Sequence, residues 1–375
     1  MTNRERFVNA LTFKATDKIP LSPGHPREST LAVWHKQGLP ESKHYFDHLL
    51  EVLCIDSYTY GTNLPLNIDF TLKPWFEEKV LEKKGNHLIV QDWKGNVVEI
   101  SDQFGLLHLR EAKDFVTRRW LKLPVENKQD WEEMMKRYDA ASPERLPNDF
   151  ESICKKSLAR DEPMVINING PFWQLREWVG FEQLCMLFIE DPDFVEEMIN
   201  FWCDFVLAML ERILPHITPD SVHLSEDMAY KAHSMISPEM TRKFLMPVYK
   251  KWVSKIKSAG CPIVDMDSDG YIADLIPIWI ESGINVCDPI EVAAHNDIVL
   301  YRETFRKNMA YVGGIDKRAI AAGGQTIKDE VMRVVPPLLR EGGFIPSCDH
   351  GVPPDISWPD YVEYSRLLAS LTGWL

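Results

Sequence analysis

The segment Cys348-Asp349-His350-Gly351 gathers a thiol, a carboxylate and an imidazole just before a glycine. A Cys-x-His pair at a strand end can supply two metal ligands, with tetrahedral zinc the natural occupant. The imidazole can also move a proton near neutral pH. Cys348 fits plain strand packing equally well. A second constellation is Asp265, Asp267 and Asp269. In an extended chain these alternate residues face one side. Three carboxylates on one face are poor packing material, and they repel unless a cation or shared protons offset them. A metal is one relief; raised carboxyl pKa values, which make general acids, are another. The spacing before Gly270 is similar to a calcium loop, but Ile276 stands where the bidentate glutamate belongs, so an EF-hand is excluded. His44 and His48 share a helix face without the glutamate of a metalloprotease motif, and read as surface or packing residues.

These groups need elements to position them. Eight short apolar runs read as buried parallel strands: Lys18–Ser22, Leu53–Ser57, Met164–Asn169, Ser221–Ser225, Pro262–Asp267, Ile284–Cys287, Met309–Gly313 and Phe344–Cys348. Helical periodicity fills most of the gaps, at Asp191–Leu214, Ser237–Ala259, Ile272–Ser282, Ile327–Arg340 and Asp360–Leu371. Ser237-Pro238-Glu239 is a cap followed by proline at the first helical position. Strands alternating with helices imply a parallel sheet. Eight strands without a glycine-rich phosphate turn favour a (β/α)₈ barrel over an open doubly wound sheet. The expectation is one barrel domain over residues 1–375. A hairpin at His87–Ile100, turning at Lys94-Gly95-Asn96, lies within an insertion at about 70–116, after the second strand.

A barrel carries its catalytic groups at the C-terminal ends of its strands. Those ends supply His25 and Arg27, Asp56, then Asn169 to Trp173, then Glu226 and Asp227. They continue with Asp265 to Gly270, Asp288, Gly313 to Lys317, and the Cys348 segment. Asp227, Asp288 and Asp316 suit helix capping as well as chemistry. Trp173 is pocket wall or barrel packing. Tyr58, Tyr60, Phe172 and Tyr230 join it as aromatics suited to a flat ligand. Gly313-Gly314 suits a close backbone approach.

The totals bound the function. With 375 residues, 45% hydrophobic, the chain needs no staples, and its net charge of -14 disfavours nucleic acid as a partner. Seven widely spaced cysteines without a CxxC argue for a reducing compartment. Met1 to Lys14 has no apolar signal core and no run is long enough to span a membrane, so the cytoplasm is expected.

With these residues in view, the chain resembles the uroporphyrinogen decarboxylase superfamily, which includes corrinoid-dependent methyltransferases. The resemblance runs from Thr2-Asn3-Arg4-Glu5-Arg6 and Asp17-Lys18-Ile19-Pro20 through Asn169-Gly170-Pro171-Phe172 and Ser237-Pro238-Glu239. It ends at Gly313-Gly314-Ile315-Asp316 and His350-Gly351-Val352-Pro353-Pro354. The decarboxylases carry an arginine-rich segment after the first strand; here only Arg27 remains, beside Glu28. The methyltransferases carry a His-x-Cys at the fifth strand and a late cysteine, which bind zinc. Asp267, Asp269 and His350 stand at those positions, so the resemblance implies harder ligands.

The expected function is methyl transfer from a methyl ether, aromatic ethers included, or a similar small donor, to the cobalt of a corrinoid protein. Asp267, His350, Asp56 and Glu226 are the catalytic candidates. His25, Arg27, Tyr58, Trp173, Asp227 and Asp288 are the substrate-binding candidates. Asp267, Asp269, His350 and Cys348 are the zinc candidates. The alternatives are a decarboxylase or other lyase, with Arg27 holding a carboxylate, and a tetrapyrrole or corrinoid carrier without chemistry. A homodimer is suggested by resemblance.

Overall fold

The fold is α/β, described here from a computed structural model covering all residues except 57–65 and 112–115. Four strands come first along the chain: β1 (Lys79–Lys84), β2 (His87–Gln91), β3 (Val97–Ser101) and β4 (Arg119–Lys122). Six more follow: β5 (Val165–Asn169), β6 (Ser221–Ser225), β7 (Ile263–Asp267), β8 (Val286–Asp288), β9 (Ala310–Ile315) and β10 (Phe344–Cys348). The first four make an antiparallel sheet, and the last six a parallel sheet in unbroken sequential order. The chain groups into two compact units. Unit 1 comprises Met1–Leu66, Asp149–Gly170 and Arg212–Leu375; unit 2 comprises Asn67–Asn148 and Pro171–Glu211.

Unit 1 contains the parallel sheet. Its strands alternate an apolar face, covered by helices, with an inner face that carries polar groups toward the strand ends, as in Ser221–Ser225 and Ile263–Asp267. The helix Gly324–Glu341 shows the matching pattern: Ile327, Val331, Val334, Val335 and Leu338 form one buried stripe. The N-terminal helix Asn3–Leu11 opens with a capping box between Thr2 and Glu5. It packs Ala10 and Leu11 against Ile263, Val286, Ala310 and Ile345, near the starts of four strands. That closes the N-terminal end of the sheet and leaves the C-terminal ends for chemistry.

Six of the eight expected strands form, all within three residues of their predicted ends. The first two do not. Lys18–Ser22 begins in a bend and joins no ladder; Pro26 makes an isolated parallel bridge, with Val352. Pro20, Pro23 and Pro26 lack the N–H donors a ladder needs. Leu53 ends the helix Tyr45–Leu53, and Cys54 turns the chain through a left-handed conformation. The apolar run there was the last turn of an amphipathic helix, whose buried side chains are Tyr45, Phe46, Leu49, Leu50 and Leu53. Ser57 lies outside the described residues. Eight-stranded closure is therefore not formed by backbone pairing among the described residues.

Unit 2 contains the expected hairpin, β2 and β3, paired in register from His87↔Ser101 to Gln91↔Val97. Asp92 accepts from the Lys94 and Asn96 amides, and Gly95 takes the positive φ of the turn. The unit extends beyond the expected insertion to residue 148 and takes in 171–211. Its core is aromatic: Trp178 Nε1 donates to Tyr138 Oη at 3.1 Å, and Trp202 stacks on Phe205.

One buried ionic knot in unit 1 makes a test. Asp220 accepts from Arg4 Nε at 2.8 Å, Arg160 Nη2 at 2.8 Å and the Met164 amide at 2.9 Å. Asp220→Ala leaves the buried Arg160 without its counter-charge. It should cost about 3–5 kcal/mol in a denaturant melt; a loss under about 1 kcal/mol would contradict this account.

Candidate active site

Parallel register decides which side chains meet. His223 pairs with Asp265 across β6 and β7, and Ser225 with Asp267. Asp267 pairs with Asp288 across β7 and β8. Directly paired residues of neighbouring strands share a face. His223, Asp265, Asp267 and Asp288 therefore belong to one inner face. Asp265 and Asp288 line a cavity of about 460 Å³, together with Val286, Val312 and Ile345.

The imidazole of His223 sits between two carboxylates. Its Nδ1 is hydrogen-bonded to Asp265 Oδ1, and its Nε2 lies 3.5 Å from Asp267 Oδ2. Ser221 Oγ donates to the other Asp265 oxygen at 2.8 Å. Burial opposes charge on His223, but Asp265 and Asp267 outweigh it and hold its pKa well above 6.5. Asp288 behaves oppositely. Burial raises its carboxyl to about 7; His223 pulls it down, and Asp265, Asp267 and Asp269 push it up. An acid protonated near neutrality thus stands beside a cationic imidazole.

A second pair lies beyond the strand ends. His350 Nε2 is 3.1 Å from Asp269 Oδ2, and its Nδ1 is 3.4 Å from Arg27 Nη2. The hydrogen bond to Asp269 raises the His350 pKa, against the opposing effects of burial, Lys317 and Arg27. His25 Nδ1 lies 2.9 Å from Tyr45 Oη, and both line the cavity.

The other predicted residues go elsewhere. Glu226 is fully buried and accepts the Tyr249 hydroxyl; a Cβ on Gly170 would fall 2.1 Å from its carboxyl carbon. Asp227 is half-buried in a left-handed conformation, with its amide donating to the Asp267 carbonyl at 3.2 Å. Asp56 is exposed after the helix Tyr45–Leu53. Trp173 belongs to unit 2, where Arg176 lies 4.2 Å over its ring. Tyr58 lies outside the described residues. Asp316 is the cap its position suggested, accepting from the Arg318 amide. Asp349 is buried and ties two loops together through the Val292 and Lys317 amides.

The four zinc candidates do not fit a zinc site. Cys348 alternates with Ile345 and Ser347 on β10, so it takes the face opposite the cavity. It packs where a Cβ on Gly24 would touch it at 2.8 Å, and burial pushes its thiol up to about 12. Asp269 and His350 are bonded to each other, and Asp267 faces His223. Among the described residues, no three His, Cys, Asp or Glu side chains converge as metal ligands.

The architecture and the inward groups are accompanied by a direct family match. Residues 120–361 match the model of the uroporphyrinogen decarboxylase (URO-D) family. The chain belongs to that family. Uroporphyrinogen decarboxylase of Ruthia magnifica subsp. Calyptogena magnifica is 18% identical over 239 residues, covering 62% of this chain and 66% of that protein. The match thus spans slightly less than two thirds of that relative. A methyltransferase from Methanosarcina mazei superposes with a TM-score of 0.60 at 14% identity, over 100% of this chain and 98% of that one, which establishes a shared fold. Membership is carried by residues 120–361, and the cluster's own chemistry must be read from its residues.

His223 was not singled out from the sequence. The signal was present: Ser221, His223 and Ser225 alternate with Val222 and Leu224, which places three polar groups on one face of a buried strand. The Asp269–His350 pair is testable by NMR. His350 should titrate above 6.5 in the wild type, and its midpoint should fall in Asp269→Asn, where the hydrogen-bonded negative charge is gone. An unchanged midpoint would show that the pair does not form.

Proposed function

We propose that this URO-D family member is a methyltransferase that removes a methyl group from the oxygen of an uncharged methyl ether. The observation that supports this most directly is the charge balance of the inner face. Asp265 and Asp267 share His223, and Asp269 faces His350, next to Arg27. Each carboxylate has a cationic or imidazole partner within the cluster, so it presents no block of positive charge for a polycarboxylate and no bare carboxylate for a cation. A neutral donor avoids desolvating an unpaired charge. Asp288, near 7, supplies what an ether lacks: a proton for the departing oxygen.

In this reading the acceptor is a reduced cobalt centre brought by a corrinoid protein, which supplies the nucleophile for methyl removal. The methyl carbon–oxygen bond breaks, and its electron pair stays on oxygen. Asp288 gives its proton to that oxygen and becomes a carboxylate, stabilised by the neighbouring His223 cation. Val286, Val312 and Ile345 offer the donor an apolar patch of the cavity lining to pack against. His25 and Tyr45, hydrogen-bonded to each other in the same lining, would orient it. No step requires zinc.

A second reading is decarboxylation of a small carboxylated substrate. It is favoured by Arg27 lying 3.4 Å from His350, a cation beside a proton carrier. A donor panel separates the two: purified protein, a reduced corrinoid protein and a series of methyl ethers, scored by methyl transfer, against carboxylates scored by carbon dioxide release. Carbon dioxide release without methyl transfer would overturn the first reading. Asp288→Asn should lower kcat by about 10²–10⁴-fold, the usual worth of a positioned general acid. In the wild type, kcat should fall as pH rises through about 7, because the protonated form is the active one. The variant should lack that limb; a parallel pH profile would remove Asp288 from the role.

A further inference from the structure

We infer that the imidazolium of His223 is the resident cation of this site, filling the space between Asp265 and Asp267 that a metal ion would otherwise occupy. This deepens the proposed function and rests on its charge balance, since it names the group that compensates the carboxylates.

Geometry carries the inference. Both ring nitrogens of His223 face carboxylate oxygens, Nδ1 on Asp265 and Nε2 on Asp267. A neutral imidazole has one donor and one lone pair, so with both acids ionised one carboxylate would face a lone pair; between two carboxylates, the charged ring is the form that donates to both. Asp265 and Asp267 alternate on β7, and Asp288 is paired with Asp267 across β8 about 4.8 Å away, where uncompensated carboxylates repel strongly. Ser221 donates to the remaining Asp265 oxygen, fixing that carboxylate as an outer-shell partner fixes a metal ligand. The ring is thus held at both nitrogens, and one of its two partners is itself fixed by Ser221.

The misfit of the expected zinc ligands then has a cause. Asp267, which the family resemblance places at a ligand position, already has its cation. The late cysteine position is taken by His350, which is bonded to Asp269, and Cys348 is on the outer face. Removing the ring should convert the cluster into three inward carboxylates around a void. Oxygen-only sets of that kind bind divalent ions, and zinc stands high in the affinity order.

The test is calorimetric titration of zinc chloride into the wild type, His223→Ala and the double variant His223→Ala/Asp267→Asn, without donor or acceptor. We expect His223→Ala to bind zinc at least about tenfold more tightly than the wild type, with the gain lost in the double variant. Two results would overturn the inference. One is a wild-type zinc site that Asp267→Asn abolishes. The other is a folded His223→Ala that binds zinc no better than the wild type. If His223→Ala does not melt cooperatively, His223→Gln keeps a hydrogen-bonding side chain without the charge. Zinc should then raise the Tm of His223→Gln and not of the wild type, and equal responses would overturn the inference. These readouts need no methyl transfer, so a failed donor panel and a failed zinc titration are distinguishable.

Discussion

An imidazole ring held between two aspartates is the interaction on which the inner face of this protein depends. His223 lies between Asp265 and Asp267, and Asp288 stands one strand further on. Carboxylates so close cannot all be charged in a partly desolvated interior without a cation. The ring supplies one positive charge, and Asp288 adds no further negative one while it holds its proton, up to about 7. The same arrangement thus keeps the strands together and leaves one acid poised near neutral pH. Structure and chemistry share one cause here.

The remaining architecture maintains that register. The N-terminal helix seals one end of the strands with Ala10 and Leu11. The loops at the other end are held by Asp349, whose carboxylate accepts from the Val292 and Lys317 amides. Gly270 allows the loop after β7 to pass close to its neighbour: a Cβ there would lie 2.3 Å from the Ala229 carbonyl oxygen. This places Asp269 within reach of His350, and His350 within reach of Arg27. Contacts from segments far apart in sequence converge on a few side chains, as a rigid site requires.

Much of the fold was legible in the sequence. Parallel strands buried on both faces leave apolar runs, and the six from β5 to β10 followed them. The helices left a 3.6-residue stripe, as in Gly324–Glu341. The first two expected strands were misread for identifiable reasons. Prolines every third residue near Pro20 remove ladder donors, and Leu53 belongs to a helix that ends on a left-handed Cys54. The alternation of Asp265, Asp267 and Asp269 was also legible. Their partners were not, because a strand does not state its neighbour's register.

The sequence by itself determined the parallel α/β class, the family resemblance and the concentration of carboxylates at strand ends. Those follow from local periodicity and from residue types at fixed spacings. Only the tertiary structure decided which groups share a face. It turned Cys348 away from the site and brought His223 into it, and it set Glu226 against Tyr249. The physical reason is that a side chain's partner, burial and protonation state are set by register between strands distant in sequence. Shifting that register by one residue moves a side chain to the opposite face.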